Sequence, residues 1–293
     1  MKKVVRMLGL CALVALAFTA CKKNDTQKAT FSATITQPTS SVRTHAAGSN
    51  DYYLVWDEGD VIKVFNNNDD YEEFTLTSGK DSETATFEVV GEKVSFLENL
   101  ETDDYVAFYP NAEFNADEQV ELNVNEEQTY KAYHNFLNGT YPMVGFNNAT
   151  DNFQFESKCG FLYLIFQGPE PAPGEEPKAV YFDRVVVTAD ETEDYLNGTY
   201  IYDTDGSYAR FEGGTNQSII TSASRLSVTY PNLMDVTFVL PEGALASGFT
   251  VDVYDGDELV WTRHAPAEIN AIVAQQYREM PSMVLVMPEH PTK

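Results

Sequence analysis

The chain has 293 residues, with 45 acidic against 19 basic side chains, a net charge of −26, 43% hydrophobic and 13% aromatic content. That length holds two modest domains of about 100–200 residues each, and the apolar fraction supports a packed core, which excludes a disordered acidic tail. The charge excludes a groove that tracks phosphate, so no nucleic-acid partner is expected, and it excludes electrostatic docking on anionic lipid.

The first element in chain order is an export signal. Met1-Lys2-Lys3 and Arg6 make a positive start, and Met7–Phe18 is an apolar run. The run is shorter than the ~20 residues a helix needs to cross a bilayer and suits a signal-peptide core. As the one long apolar stretch, it also excludes a multi-span membrane protein. Small residues Thr19 and Ala20 then precede Cys21. The arrangement resembles a bacterial lipobox, with Phe18 standing where Leu is commonest. Residues 1–20 are therefore expected to be removed, Cys21 to be acylated, and the polar residues 21–28 to act as a lipid-bearing tether. Cys11 leaves with the signal and Cys21 takes lipid, so Cys159 remains alone and no intrachain disulfide is possible. Several acyl chains anchor stably where one binds marginally. The expected location is the outer membrane surface by lipid, or a fimbrium, with the acidic body in water.

Strand signals follow. Phe31, Ala33 and Ile35 alternate with Ser32, Thr34 and Thr36, which makes one apolar face at period two. Phe74 and Leu76 alternate with polar neighbours, and so do Val120, Leu122 and Val124. A polar break at Asn147–Asn152 divides the chain into an N-terminal half, 29–147, and a C-terminal half, 152–293, each the size of a β-sandwich. Residues 161–166 are apolar throughout, as in a strand covered on both faces. Residues 168–177 hold four prolines and three glutamates and read as an exposed loop. Asp255-Gly256, between 250–254 and 257–261, is the strongest hairpin signal. Asn138-Gly139, Asn197-Gly198 and Asp205-Gly206 are weaker ones. Residues 267–280 have the length of a short helix, but Pro266 and Pro281 bracket them closely. The expected fold is all-β, with many short strands in sandwiches. Trp56, Ile62, Val64, Tyr109, Leu162, Leu164 and Val251 are expected in the core.

Catalytic signatures are missing from the sequence. His45, His134, His264 and His290 form no H-x-H or H-x-x-x-H pair, and neither a nucleophile elbow nor a P-loop is present. The chain is read as a non-enzyme without cofactor. Asp203-Thr204-Asp205-Gly206-Ser207 opens like a calcium loop but lacks the fuller ligand pattern and the distal Glu. Asp203 and Asp205 are thus weak metal candidates in what otherwise reads as a solvated hairpin turn. With 18 Phe, 17 Tyr and 2 Trp, exposed rings would suit sugar stacking, although Tyr is also an ordinary strand residue. Cys159, beside Gly160 and ahead of an apolar strand, reads as a buried, inert thiol.

Several segments together resemble the fimbrillin-like lipoproteins of anaerobic gut and oral Gram-negative bacteria. Phe31-Ser32-Ala33-Thr34-Ile35 is followed, after a spacer, by Val42-Arg43-Thr44. Trp56-Asp57-Glu58-Gly59-Asp60-Val61-Ile62-Lys63-Val64-Phe65 resembles W-x-x-G-D-x-I-x-V-[FY], and Tyr105 to Pro110 resembles Y-x-A-x-Y-P. Pro142-Met143 precedes Phe155-x-x-x-Cys159-Gly160-x-Leu162, and Leu196-x-Gly198 and Met280-Pro281 also fit. The resemblance implies two β-sandwich domains of transthyretin-like topology. It implies a non-catalytic pilus subunit at the shaft, tip or base, whose partners are other pilus subunits; host or microbial surface glycans or proteins are further candidate partners. Such subunits are exported as lipoproteins, and proteolysis after a basic residue then removes the first strand, leaving a groove for the next subunit's donor strand. The implied cleavage bond is Arg43–Thr44. The removable strand is Phe31, Ala33 and Ile35 with their neighbours. The donor strand is Met283, Val284, Leu285, Val286 and Met287. The alternative is a surface glycan-binding lipoprotein.

Overall fold

The computed structural model describes residues 30–40, 54–66, 71–91, 105–110, 112–130, 140–147, 152–267 and 271–285. Cys21, Arg43, Thr44, Val286, Met287 and the Asn138-Gly139 turn lie outside the described residues.

All twenty-one elements among the described residues are strands. The N-terminal half contributes β1 (Thr30–Ile35), β2 (Thr39–Ser40), β3 (Val61–Phe65), β4 (Tyr71–Ser78), β5 (Thr84–Val89), β6 (Val106–Tyr109), β7 (Glu113–Phe114), β8 (Val120–Val124), β9 (Glu127–Thr129) and β10 (Met143–Phe146). After the polar break come β11 (Asn152–Glu156), β12 (Cys159–Gln167), β13 (Val180–Ala189), β14 (Gly198–Tyr202), β15 (Tyr208–Gly213), β16 (Gln217–Val228), β17 (Leu233–Pro241), β18 (Gly248–Asp255), β19 (Glu258–Pro266), β20 (Gln276–Glu279) and β21 (Met283–Val284).

The first sheet closes on itself as a barrel in the order β1-β11-β10-β6-β3-β4-β5. Closure comes from β1, which pairs antiparallel with β5 and parallel with β11. β11, beyond the polar break, is thus a barrel strand. The alternation read in the sequence supplies the core, since Phe31, Ala33 and Ile35 are buried while Ser32 and Thr34 are only partly covered. Trp56, Ile62, Val64 and Tyr109 are buried in the same core, as expected.

Two further sheets, built mostly from the C-terminal half, enclose a second core. One sheet runs β17-β12-β20-β2 with β21 also paired to β12, and the other runs β19-β18-β13-β16-β9. Leu162, Leu164 and Phe166 of β12 meet Val185, Val187, Val251 and Val253 across the interior. The opposite face of β12 carries Cys159 and Phe161, which belong to the core cluster of the barrel. The run 161–166 is therefore covered on both faces, which is why it shows no alternation. The expected hairpin forms between β18 and β19, but its two turn residues are Gly256-Asp257, since Asp255 still pairs with Glu258 and Gly256 takes the left-handed conformation.

Residues 267–280 do not make a helix where they are described. Their last part, β20, runs parallel to β12 in the register Phe161 to Tyr277, where sheet pairing satisfies its backbone. The crossing needs a residue without a side chain. A Cβ on Gly160 would lie 2.3 Å from the carbonyl oxygen of Val273.

The halves are woven together. β2 pairs with β20, β9 extends the second sandwich sheet beside β16, and β8 pairs with β14 in a fourth sheet, β15-β14-β8-β7.

Candidate functional site

The strand expected to be removable is built in from three directions. Its backbone pairs with β5 and β11. Its buried side chains enter an aromatic cluster in which the Phe31 ring lies 4.8 Å from Phe153, 5.1 Å from Phe74 and 5.6 Å from Tyr105. The Trp56 indole Nε1 donates a hydrogen bond to the Ala33 carbonyl at 3.2 Å, and that indole is boxed edge-on by Phe87, Tyr109 and Phe155 at 5.0–5.4 Å.

The chain leaving β1 is also held. The Thr36 amide donates to the Phe155 carbonyl at 2.9 Å. The Gln37 side-chain amide clasps Leu54, donating to its carbonyl at 2.9 Å and accepting from its N–H at 2.8 Å. β2 then pairs parallel to β20, Thr39 opposite Gln276 and Ser40 opposite Tyr277. A single segment, residues 30–40, thus closes the barrel and then reaches the sandwich. The sequence carried the alternation of β1 but no sign of the Gln37 clasp or of β2.

The described part of the expected donor strand, Met283 to Leu285, belongs to its own fold. Met283 and Val284 pair with Phe166 and Gln167 of β12, and the Leu285 amide donates to the Gln167 carbonyl at 2.9 Å. Met283 and Leu285 are buried in the sandwich core, and Val284 faces outward.

Asp203 and Asp205 sit in the β14–β15 turn but serve different partners. Asp203 Oδ1 accepts from the Gln119 side chain at 2.8 Å, and Asp205 Oδ1 accepts from the Ser207 amide at 2.8 Å. That backbone hydrogen bond holds the Asp205 carboxyl below its usual range. The Gly206 amide closes the turn on the Asp203 carbonyl at 2.9 Å, with Gly206 in the left-handed region at φ +83°. Among the described residues, no three His, Cys, Asp or Glu side chains are grouped to hold a metal. Cys159 is buried, and burial raises its thiol to about 12, so it is an inert core residue and not a nucleophile. The aromatics are mostly structural. Tyr71, Phe114, Tyr181, Tyr195 and Tyr208 are among the exposed exceptions.

No protein-family model matches the chain, and no curated protein matches it. Among solved structures, the chain is similar to a candidate cell adhesion protein from Bacteroides uniformis, with a TM-score of 0.50 and 13% identity over 89% of this chain and 94% of that one. A candidate cell adhesion protein from Bacteroides ovatus aligns at a TM-score of 0.49 and 14% identity, over 89% and 96% of the two chains. A fimbrial protein from Bacteroides ovatus aligns at 0.39 and 10%, over 88% and 50%. Such identities carry the fold alone, and the chain shares the all-β fold of the Bacteroides uniformis protein, in line with the fimbrillin-like resemblance of its sequence.

Proposed function

We propose that this chain is a structural or adhesive subunit of a cell-surface fimbria, exported as a lipoprotein acylated at Cys21. It is assembled by donor-strand exchange or retained as an anchor or tip component. The observation that supports this best is the position of β1 as the strand that closes the barrel. Loss of β1 leaves unpaired backbone groups on β5 and β11 beside an aromatic groove, and an incoming strand repairs both. The fold shared with a cell adhesion candidate supports the same reading. A cut at Arg43–Thr44 leaves β1 and β2 held only by hydrogen bonds and packing. The donor role of Met283–Met287 requires β21 to leave β12 and withdraw Met283 and Leu285 from the core.

The test is the mass and N-terminus of the protein on the cell, followed by limited trypsin treatment of the purified protein. An acylated Cys21 start is expected for an anchored form and a Thr44 start for a polymerising one. Trypsin is expected to cut after Arg43 and to start oligomer growth, and a synthetic peptide of residues 30–40 is expected to slow that growth by refilling the groove. A cell-derived N-terminus at neither position, or complete cleavage with a product that stays monomeric at high concentration and binds no peptide, sinks the assembly reading.

A further inference from the structure

Two large rings remain outside the core at one place, where the barrel meets the β14–β15 turn. Tyr71, which opens β4, is 44% exposed, and Phe114, in β7, is 37% exposed. Their centroids lie 5.1 Å apart with the planes at 49°, and each also packs on the buried Phe65, at 5.4 and 5.5 Å. Lys63, only 7% exposed, backs both rings with its Nζ 5.0 and 5.2 Å from their centroids, and it donates to the Ala112 carbonyl. The rings are thus fixed from the protein side, and they line an open cleft of about 530 Å³. That volume falls in the range of small-molecule and sugar sites, about 300–1,000 Å³.

Among the described residues, the remaining walls are three carboxylates with Gln119 and Thr204, on tied turns. Asp117 and Glu118 come from the β7–β8 turn and Asp203 from the β14–β15 turn. Asn115 Oδ1 accepts from the amides of Asp117 and Gln119, each at 2.9 Å. Gln119 spends its side-chain amide on Asp203 and its side-chain oxygen on Arg210, which ties the two turns together across the halves of the chain. What the walls offer a ligand is therefore mainly carboxylate acceptors, next to two ring faces.

That combination selects a ligand with an apolar face and hydroxyl donors. The C–H face of a pyranose stacks on an aromatic ring, and its hydroxyls donate to carboxylates. The carboxylates also draw a cationic side chain, but the Lys63 ammonium already engages both ring quadrupoles from the protein side, so the rings add less for a second cation than for a C–H face. An acidic sugar meets three carboxylates of its own sign. We propose that this cleft binds a neutral saccharide, with its ring face on Tyr71 and Phe114 and its hydroxyls on Asp117, Glu118 and Asp203.

The site is independent of strand exchange, so its test is run on the uncleaved protein. An array of neutral, sialylated and sulfated oligosaccharides and basic peptides is presented to the purified protein, and hits are titrated by calorimetry and by saturation-transfer NMR. Neutral oligosaccharides are expected to bind, with saturation passing to pyranose C–H protons. Tyr71→Ala and Phe114→Ala are each expected to weaken binding by about threefold to tenfold, the scale of a lost ring-stacking contact. Asp117→Asn, which leaves the rings and the backbone turn in place, is expected to weaken binding at an unchanged melting temperature. It therefore decides the matter should Tyr71→Ala fail to fold. The proposal is overturned if no neutral oligosaccharide binds, if only acidic glycans or basic peptides bind, or if neutral binding persists unchanged in Phe114→Ala and Asp117→Asn.

Discussion

Trp56 shows at the scale of one residue why the barrel and its closing strand stand together. The indole is fully buried, touches three aromatic rings edge-on and spends its N–H on the carbonyl of Ala33 in β1. Trp56→Ala is expected to destabilise the protein by ~3–5 kcal/mol, the usual cost of emptying a large aromatic site, read as a lowered midpoint in urea or heat. An unchanged midpoint would show that this core does not depend on the indole. The neighbouring Gly59-Asp60 explains the rest of the sequence motif. Gly59 takes φ +88°, and the buried Asp60 carboxylate accepts from the Asp57 amide at 2.7 Å and from the Tyr109 hydroxyl at 2.8 Å. The motif is thus a turn locked to the neighbouring strand β6, with its buried carboxylate satisfied.

Among elements, the contrast between β1 and β21 bears most on assembly. Both fill grooves with alternate apolar side chains, but β1 pairs on two sides and β21 on one. Leu285→Ala is expected to cost ~2–5 kcal/mol of monomer stability, because a fully buried leucine is emptied. Denaturant unfolding of the uncleaved protein measures it, and a cost near zero would mean that this end of the chain is already loose. The strands with one buried face were legible in the sequence because burial of alternate residues writes a period of two, as in β1 and in the β8 residues Val120, Leu122 and Val124. β2 and β7 have two residues each, too short for any period, and β9 reads Glu127-Gln128-Thr129, which resembles a loop. The cleft was not legible either. Tyr71 and Phe114 are isolated rings in separate acidic stretches, and they meet in the fold over Phe65 of β3, which pairs with Tyr71 and packs on both rings.

At the scale of the whole molecule, the halves are stitched by buried polar contacts as well as by shared sheets. Gln128, on β9 of the N-terminal half, is 6% exposed and reaches the free side of β17 in the C-terminal half. Its Nε2 donates to the Val239 carbonyl at 2.8 Å, and its Oε1 accepts from the Val239 amide at 3.0 Å. One side chain thus stands in for the next strand at a sheet edge that would otherwise present open backbone groups. Next to it, Phe161 of β12, the register partner of Val239, stacks between Tyr141 at 4.9 Å and Tyr277 at 4.6 Å. Two halves coupled this way are expected to unfold in one calorimetric transition, without a folded half surviving alone. Gln128→Ala removes both partners of Val239 at once, and each buried backbone group left unsatisfied costs about 1–3 kcal/mol. The variant is expected to melt lower and, because the lost bonds join the halves, to broaden or split the transition. Two separate transitions in the unaltered protein, or a Gln128→Ala variant with the same midpoint and width, would show that the halves fold independently and that the stitch carries no coupling.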